Sequence, residues 1–583
     1  MPNINRRRVL KGLTVGSGVM LAGCGGGGDG GDGADGGGDG GDGGGDGGGD
    51  GGGDGGDGGM EVRELVFSDA DVPTSLDPHA FDFTNTNNQY AYPENGYEPL
   101  LYFPASQDSN EPVPVLATEV PTANNGLISN GGRTLDFPLR EGVTFHTGGE
   151  MTAEDVMYSF NRVMTMGLSA GAATLDNAIE SMEAVDDYTF RLTLAEANTP
   201  VFLNSTVTQS YVSIVSKEAV EANGGVQEGQ PNEWVAQNSA GAGPFVLGER
   251  RPNEVVWEPH EDYWGETSVD RVVQQVDPDL SARLAKLRRG EVHWAWASPG
   301  VYSEVEGIQG INITSAPQFN PGGFIFNANI PYDRDDMSDL DDTVPPDFFA
   351  DKDVRNAFKF AFDWESFVSG TMSGLASRTR SIHVKGMFGF DESAPMVHQD
   401  LEQAEQHLRN AGYWEEGFTI TLFNENNPEF DVLNVRMKDA MEGLNDRITI
   451  NSVKEPEGPG VARHNRDPPG FPFEAHALLP VGADPTPYYE FWCHPDGGMG
   501  SRTGIPEVID SQIPDLIEQS STETDLEARA DIFAQLQRLV YEEAPVVLGY
   551  TPEIINPWLE CVEPSWSNQW IRPHWKHQDI SNC

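Results

Sequence analysis

A segment of glycine and aspartate that cannot fold separates residues 1–24 from the chain after Met60. Residues 25–59 contain only Gly, Asp and Ala34, so this stretch has no large apolar side chain to bury. Glycine-rich chains of this kind behave as flexible coils. We therefore expect a disordered tether with a span of roughly 30–35 Å between residues 1–24 and the folded chain after Met60.

Residues 1–24 are typical of an export signal. Arg6-Arg7-Arg8 precede an apolar stretch that is too short and too rich in glycine to span a bilayer. The segment resembles a twin-arginine signal, and Leu21-Ala22-Gly23-Cys24 resembles a lipobox. This resemblance implies cleavage before Cys24, a lipid on its sulfur and a location at the extracellular face of the cell membrane. The alternative is a cleaved signal with an unmodified cysteine.

The chain is strongly acidic, with a formal net charge of −56. Only nine of its acidic residues lie in the tether, so the acidity belongs to the folded part. A field of this sign excludes a nucleic-acid partner. Self-repulsion on this scale destabilises a compact chain at ordinary ionic strength, whereas the screening length shortens to about 3 Å near 1 M salt. The composition therefore indicates adaptation to high salt, as in haloarchaeal proteins.

The folded part is too long for a single compact core. More than 500 residues follow Met60, so we expect at least two lobes. Beyond Cys24 the chain has Cys493, Cys561 and Cys583. One disulfide is possible, the odd number leaves at least one free thiol, and the spacing does not determine whether any two pair.

Residues 134–164, TLDFPLREGVTFHTGGEMTAEDVMYSFNRVM, carry the clearest local pattern. Thr134–Leu139 alternates as a strand, and Val143–His146 predicts a second strand after a turn. Thr152 then caps a helix whose apolar residues recur at i, i+4 and i+7, with Asp155 at the capping-box position. The pattern predicts a small α+β unit and no chemistry.

This block resembles the signature of the family 5 extracellular solute-binding proteins of ABC importers, the dipeptide, oligopeptide and nickel-binding group. The resemblance continues in order along the chain through 241–245, 262–265, 284–292, 326–327, 354–357 and 526–541. It implies a mixed α/β fold of the two-lobed periplasmic-binding-protein type (type II, cluster C-like) with an extra small domain. The implied division is lobe I at 61–98, 201–318 and 541–583, the small domain at 99–200 and lobe II at 319–540.

The resemblance implies capture rather than catalysis. A peptide would bind in the cleft between the lobes, and hinge closure would present it to the permease and ATPase subunits of the importer. We expect a monomer without a cofactor. The first alternative is an oligosaccharide or another non-peptide solute. An exported enzyme is the alternative from another class, but the folded part has no HExxH, CxxC or dinucleotide-binding glycine motif.

The candidate ligand-binding residues rest mainly on one segment. In peptide-binding relatives an aspartate in a "W.aDY..P" segment pairs with the amino terminus of the ligand, and Asp484 lies in the most similar stretch here, although the tryptophan is missing. The alternative for Asp484 is a turn cap before proline. His146 and His383 are candidates for a nickel-type metal site, but lone histidines of this kind are more often structural and we expect no metal site. The other candidates are Tyr488, Tyr489, Trp492, Trp294, Trp296 and Arg380.

Overall fold

The computed structural model describes most of the chain after Met60. The described residues are 62–69, 75–80, 93–103, 111–295, 302–380, 382–425, 427–464, 466–478, 484–563, 575–580 and 582–583. The predicted signal, Cys24, the tether and Trp296 lie outside them. The chain separates into two units, Met1–Met60 and Glu61–Cys583.

Strands are labelled in chain order. They are β1 (Glu64–Asp69), β2 (Leu101–Tyr102), β3 (Val113–Pro114), β4 (Ile128–Ser129), β5 (Thr134–Pro138), β6 (Ile179–Asp186), β7 (Thr189–Leu194), β8 (Phe245–Arg251), β9 (Glu254–Pro259), β10 (Arg271–Val276), β11 (Trp294–Ala295), β12 (Ile311–Pro317), β13 (Gly322–Phe326), β14 (Ala376–Arg378), β15 (Phe418–Glu425), β16 (Ile448–Glu455), β17 (Phe473–Ala477) and β18 (Val546–Leu559).

Helices separate many of these strands along the chain. The α-helices are Pro93–Gly96, Ala153–Met166, Ala170–Ala178, Thr199–Val201, Lys217–Ala222, Leu280–Arg288, Tyr302–Val305, Lys352–Ala361, Trp364–Ser366, Leu401–Asn410, Pro428–Leu444, Glu457–His464, Thr486–Cys493, Gly500–Thr503, Gln512–Thr522 and Leu526–Glu543. Short 3-10 or π turns are Asn130–Gly132, Phe202–Thr206, Ser210–Val212, Phe348–Ala350, Phe367–Thr371 and Trp575–His577. Among the described residues, no helix has the length and apolar character needed to cross a membrane.

The largest sheet has 12 strands and two distinct halves. Its order is β16-β15-β17-β13-β18-β11-β1-β10-β9-β8, and β12 and β14 also pair with β18. The first half contains β1 and β8–β11, and in it β1 runs parallel to β10 and β11. The second half contains β13 and β15–β17, and in it β15 runs parallel to β16 and β17. The pairs of β13 with β17 and with β18 are antiparallel. Parallel strands need helical crossovers, which is why helices alternate with strands in both halves.

Strand β18 joins the two halves. Its residues 546–550 pair with β13 of the second half, and its residues 553–559 pair with β12 of the first. Gly549 lets the strand pass the ring of Trp364, because a Cβ there would come within 2.1 Å of that ring. The chain enters the second half through 318–321, between β12 and β13, and returns through β18. These two adjacent connections are the crossing segments of the fold.

The sheet β4-β5-β7-β6 and the helix Ala153–Met166 form the small unit that the local pattern predicts. The capping box is confirmed, because the carboxylate of Asp155 accepts a hydrogen bond of 3.0 Å from the backbone N–H of Thr152. The prediction of a second strand at Val143–His146 is wrong. Gly148 and Gly149 turn this segment back so tightly that only the bridge between Thr144 and Glu150 forms.

Three large clusters of buried side chains form the core. One lies in the small unit, one in the first half of the sheet, and the largest, rich in phenylalanine, in the second half. Cys561 and Cys583 form a disulfide, which answers the question that the cysteine spacing left open. Cys493 is the free, buried cysteine of the described residues.

Candidate functional site

The segment after β17 reaches the first crossing segment. The hydroxyl of Tyr488 donates a hydrogen bond of 3.0 Å to the backbone carbonyl of Phe319, and the N–H of Leu478 donates one of 2.9 Å to the carbonyl of Pro321. The hydroxyl of Thr551 in β18 donates to the carbonyl of Gln318. The helix Thr486–Cys493 is thereby fixed to the place where the two halves meet, although the sequence gives no sign of the Phe319 contact.

Asp484 is buried with its carboxylate held by Arg529. Its side chain and that of Arg529 are both 0% exposed, and Arg529 Nη1 lies 2.7 Å from Asp484 Oδ2. Arg529 Nη2 donates to Asp484 Oδ1 at 2.9 Å, and the backbone N–H of Thr486 donates to the same oxygen at 3.0 Å. The turn cap that was the alternative role of Asp484 is therefore present. Contact of Asp484 with a ligand stays a prediction.

Arg529 links three pieces of the second half. Besides Asp484 it donates from Nε to the carbonyl of Ser520 at 2.6 Å and from Nη2 to the hydroxyl of Thr486 at 3.0 Å. Its guanidinium also lies 5.1 Å above the ring of Phe533. The ion pair thus joins the turn at 484–486 to the last turns of one helix and the first turns of the next.

The three aromatic candidates near Asp484 pack against protein atoms in this conformation. Tyr489 is fully buried, stacks on Phe533 with the ring centres 6.2 Å apart, and places its hydroxyl 3.3 Å from Nδ1 of His383. Burial lowers the pKa of His383 to about 4, so this histidine is neutral at pH 7. Tyr488 and Trp492 are 2% and 4% exposed. Their contact with a ligand stays a prediction.

The remaining candidates do not join this group. Trp294 lies in the core of the first half, where its Nε1 donates to Asn556 Oδ1 at 3.0 Å and its ring stacks on Trp558 at 5.5 Å. Arg380 donates to the backbone carbonyls of Ala394 and Glu392 at 2.7 and 2.6 Å, so its guanidinium holds a loop. The structure therefore brings Asp484, Tyr488, Tyr489 and Trp492 together beside the crossing, and leaves Trp294 and Arg380 apart from them.

A cluster of two histidines and a glutamate adjoins this segment. Glu474 and His476 lie on β17, and His464 ends the helix Glu457–His464. His464 Nδ1 is 2.9 Å from Glu474 Oε2, and the two imidazole rings stack with centres 4.5 Å apart. Burial raises the pKa of Glu474 to about 7 and lowers those of His464 and His476 to about 4 and 3. Alternation along β17 signals Glu474 and His476, whereas His464 comes close only through the fold.

Segments outside the large sheet also contact the second half, away from the crossing segments. Phe103, which directly follows β2, is 4% exposed and packs in the large core cluster of the second half. The helix Gln512–Thr522 contacts the short helix Thr199–Val201. A Cβ at Gly132 would lie 3.8 Å from the methyl group of Thr524. The small unit therefore forms a second contact with the second half.

Comparison with known proteins gives a match over most of the chain. The model of the family "Bacterial extracellular solute-binding proteins, family 5 Middle" matches residues 111–500. The dipeptide-binding protein of Escherichia coli (strain K12) is 23% identical over 537 residues, covering 85% of this chain and 91% of that protein. The dipeptide-binding protein DppE of Bacillus subtilis (strain 168) is 23% identical over 511 residues, covering 82% and 84%.

Solved structures share the fold. HbpA2 from Haemophilus parasuis superposes with a TM-score of 0.73 at 20% identity, covering 88% of this chain and 99% of that one. The periplasmic binding protein DppA from Helicobacter pylori, in complex with the peptide STSA, gives a TM-score of 0.65 at 21% identity, covering 88% and 97%. The predicted α/β fold of the two-lobed periplasmic-binding-protein type is thereby confirmed. The relatives are solute-binding proteins and not enzymes, and this chain belongs to family 5 of the extracellular solute-binding proteins.

Proposed function

We propose that the protein is the solute-binding component of an ABC importer and captures di- or oligopeptides between its two lobes. The observation that carries this proposal is the alignment with the E. coli dipeptide-binding protein, which covers 85% of this chain and 91% of that protein. A permease and an ATPase subunit are the partners that such a role requires. We propose that the protein acts as a monomer and needs no cofactor for this capture.

Hinge closure is the proposed means of delivery. The chain passes between the halves only through 318–321 and β18 among the described residues, so few backbone torsions need to change for one half to rotate against the other. We propose lobe I at 61–98, 201–318 and 541–583, the small domain at 99–200 and lobe II at 319–540. The burial of Phe103 against the second half supports a closed arrangement.

The surroundings of Asp484 bear on which class of solute the protein binds. A buried carboxylate is a good partner for the amino terminus of a peptide once water is excluded. Asp484, however, is already paired with Arg529: its Oδ1 accepts hydrogen bonds from Arg529 and Thr486, and its Oδ2 lies 2.7 Å from Arg529 Nη1. This pairing favours the alternative solute, an oligosaccharide or another uncharged molecule that would stack on Tyr488, Tyr489 or Trp492. We rank the peptide first because of the aligned relatives.

The amino-terminal part supplies the proposed attachment. We propose twin-arginine export, a lipid on Cys24 and a position at the extracellular face of the membrane, with residues 25–59 as the tether. The description of the family as extracellular supports the location. Mass spectrometry of the amino-terminal peptide tests this proposal: a diacylglyceryl group on Cys24 is expected, and an intact segment of residues 1–24 would contradict it.

Calorimetry with matched ligands tests the peptide proposal. We expect a tripeptide to bind, its amino-terminally acetylated form to bind at least about 10-fold more weakly through loss of the charged amine, and an oligosaccharide of similar size not to bind. Small-angle scattering measures closure as a fall in the radius of gyration. Binding of the oligosaccharide alone would contradict the proposal and support the alternative.

The contact at Phe103 offers a variant for the hinge. Phe103→Ala should weaken tripeptide binding and enlarge the radius of gyration of the bound protein, because closure then buries less apolar surface. Phe137→Ala is the control: Phe137 is equally buried, but it lies in the core of the small unit and not against the second half. Equal loss of binding in the two variants would contradict a role of Phe103 in closure.

A further inference from the structure

The three side chains His464, Glu474 and His476 have the composition of a metal site. Glu474 and His476 are two residues apart on β17, so both side chains leave the strand on one face. His464 meets them from the end of the neighbouring helix. One ligand atom of each residue lies within 4.8 Å of those of the other two. Three protein ligands of this kind leave further coordination positions for water or another donor.

The surroundings of the cluster do not fully balance the charge of the Glu474 carboxylate. Glu474 is 4% exposed and His464 is 8% exposed. A carboxylate at this depth requires a cation or a proton. Of the nearby cations, Arg463 is held by Glu455 at 2.7 Å and lies 3.4 Å from Asp336. Among the described residues, His464 is the basic side chain that forms an ion-pair contact with Glu474.

Packing around the cluster limits the movement of its ligands. Phe471 stacks on His464 with the ring centres 5.8 Å apart, and Trp492 stands edge-on to His476 at 5.7 Å. His476 faces Gly323 of β13 across the strands, and it is only partly buried. The cluster thus has fixed walls on two sides and access to solvent through His476, as a site that exchanges its ion needs.

We propose that His464, Glu474 and His476 bind a divalent first-row transition-metal ion in the second half of the protein. Two imidazoles and one carboxylate suit Zn²⁺ and its neighbours better than Ca²⁺ or Mg²⁺, which prefer oxygen ligands alone. The ion would neutralise Glu474 and tie β17 to the helix Glu457–His464. The assignment does not depend on which solute the protein captures.

Zinc titration of the full-length protein tests the site. Protein stripped with a chelator is titrated with Zn²⁺ against a chromophoric competitor, in high salt so that surface carboxylates are screened. We expect one tightly bound equivalent in the wild type, and a loss of roughly 100-fold or more in its affinity in His464→Gln and His476→Gln, since even outer-shell changes cost 10–100-fold. His398→Gln is the control, because His398 is exposed and apart from the cluster.

A second variant separates loss of the ligand from loss of the fold. Glu474→Gln keeps the shape of the side chain and its hydrogen bond to His464, but it removes the anionic ligand. We expect its melting temperature without metal to stay near that of the wild type, while the rise produced by Zn²⁺ in the wild type disappears. Tight zinc binding that persists unchanged in all three cluster variants, or is missing from the wild type, would overturn the proposal.

Discussion

Replacing Arg529 with methionine removes the cation from a fully buried ion pair while keeping most of the side-chain volume. Asp484 then keeps its charge with no cation, and the carbonyl of Ser520 and the hydroxyl of Thr486 each lose a donor. Removing one partner of a buried pair costs about 3–5 kcal/mol, because the other charge stays buried. We therefore expect the free energy of unfolding to fall by about that amount.

The matched control lies on the same helix. Arg538 pairs with Asp391 at 2.8 Å, but its side chain is 50% exposed. Exposed pairs are worth about 0–1 kcal/mol, so Arg538→Met should change stability little. Guanidinium-induced unfolding followed by tryptophan fluorescence measures both variants. A loss below about 1 kcal/mol in Arg529→Met, or equal losses in the two variants, would refute the assignment of a buried, uncompensated charge.

A double variant isolates the charge itself. Asp484→Asn removes the carboxylate charge but keeps an oxygen that accepts the N–H of Thr486. We expect Asp484→Asn combined with Arg529→Met to be less destabilised than the sum of the single changes, by about 1–3 kcal/mol. Additive losses would contradict a direct interaction between the two groups. The same Asp484→Asn protein, tested for tripeptide binding, shows whether this carboxylate also contacts the ligand.

Three further predictions concern the stability of the whole chain. Cys583→Ser should cost about 3 kcal/mol, because the disulfide with Cys561 closes a loop with a sequence separation of 22; an unchanged melting temperature would contradict this. Burial lowers the pKa of His79 and His146 to about 3. Below about pH 6.5 each of these histidines binds a proton when the protein unfolds. The free energy of unfolding therefore has its full value above that pH and falls towards pH 4 by up to about 1.4 kcal/mol per pH unit for each histidine. The slope of unfolding free energy against pH should be smaller in His79→Gln, and equal slopes would count against it. Finally, the melting temperature should rise between about 0.1 M and about 3 M KCl as the net charge of −56 is screened; equal values would contradict adaptation to high salt.

Local chemistry allowed part of the fold to be predicted. The helix Ala153–Met166 follows from its apolar repeat and from Thr152 and Asp155, whose contact spans three residues. The overall lobed fold follows from the ordered family motifs. The prediction of a strand at Val143–His146 was wrong because this backbone forms a single bridge, from Thr144 to Glu150, and does not pair with a full strand.

Contacts between distant residues were beyond the sequence. Arg529 follows Asp484 by 45 positions, and nothing in either neighbourhood indicates that the two side chains meet in a buried pair. The approach of His464 to Glu474 likewise depends on how the helix Glu457–His464 packs beside β17, with Phe471 stacked on His464. Periodicity places each residue on an element, but the partner of a buried charge depends on how the elements pack.

We propose that the cleft between the lobes captures peptides. Mass spectrometry of small molecules released by denaturing protein that was purified in high salt tests it most directly, because a closed cleft retains its solute. We expect release of a set of short peptides in an amount comparable to the protein. Release of an oligosaccharide or another non-peptide solute in that amount would contradict it.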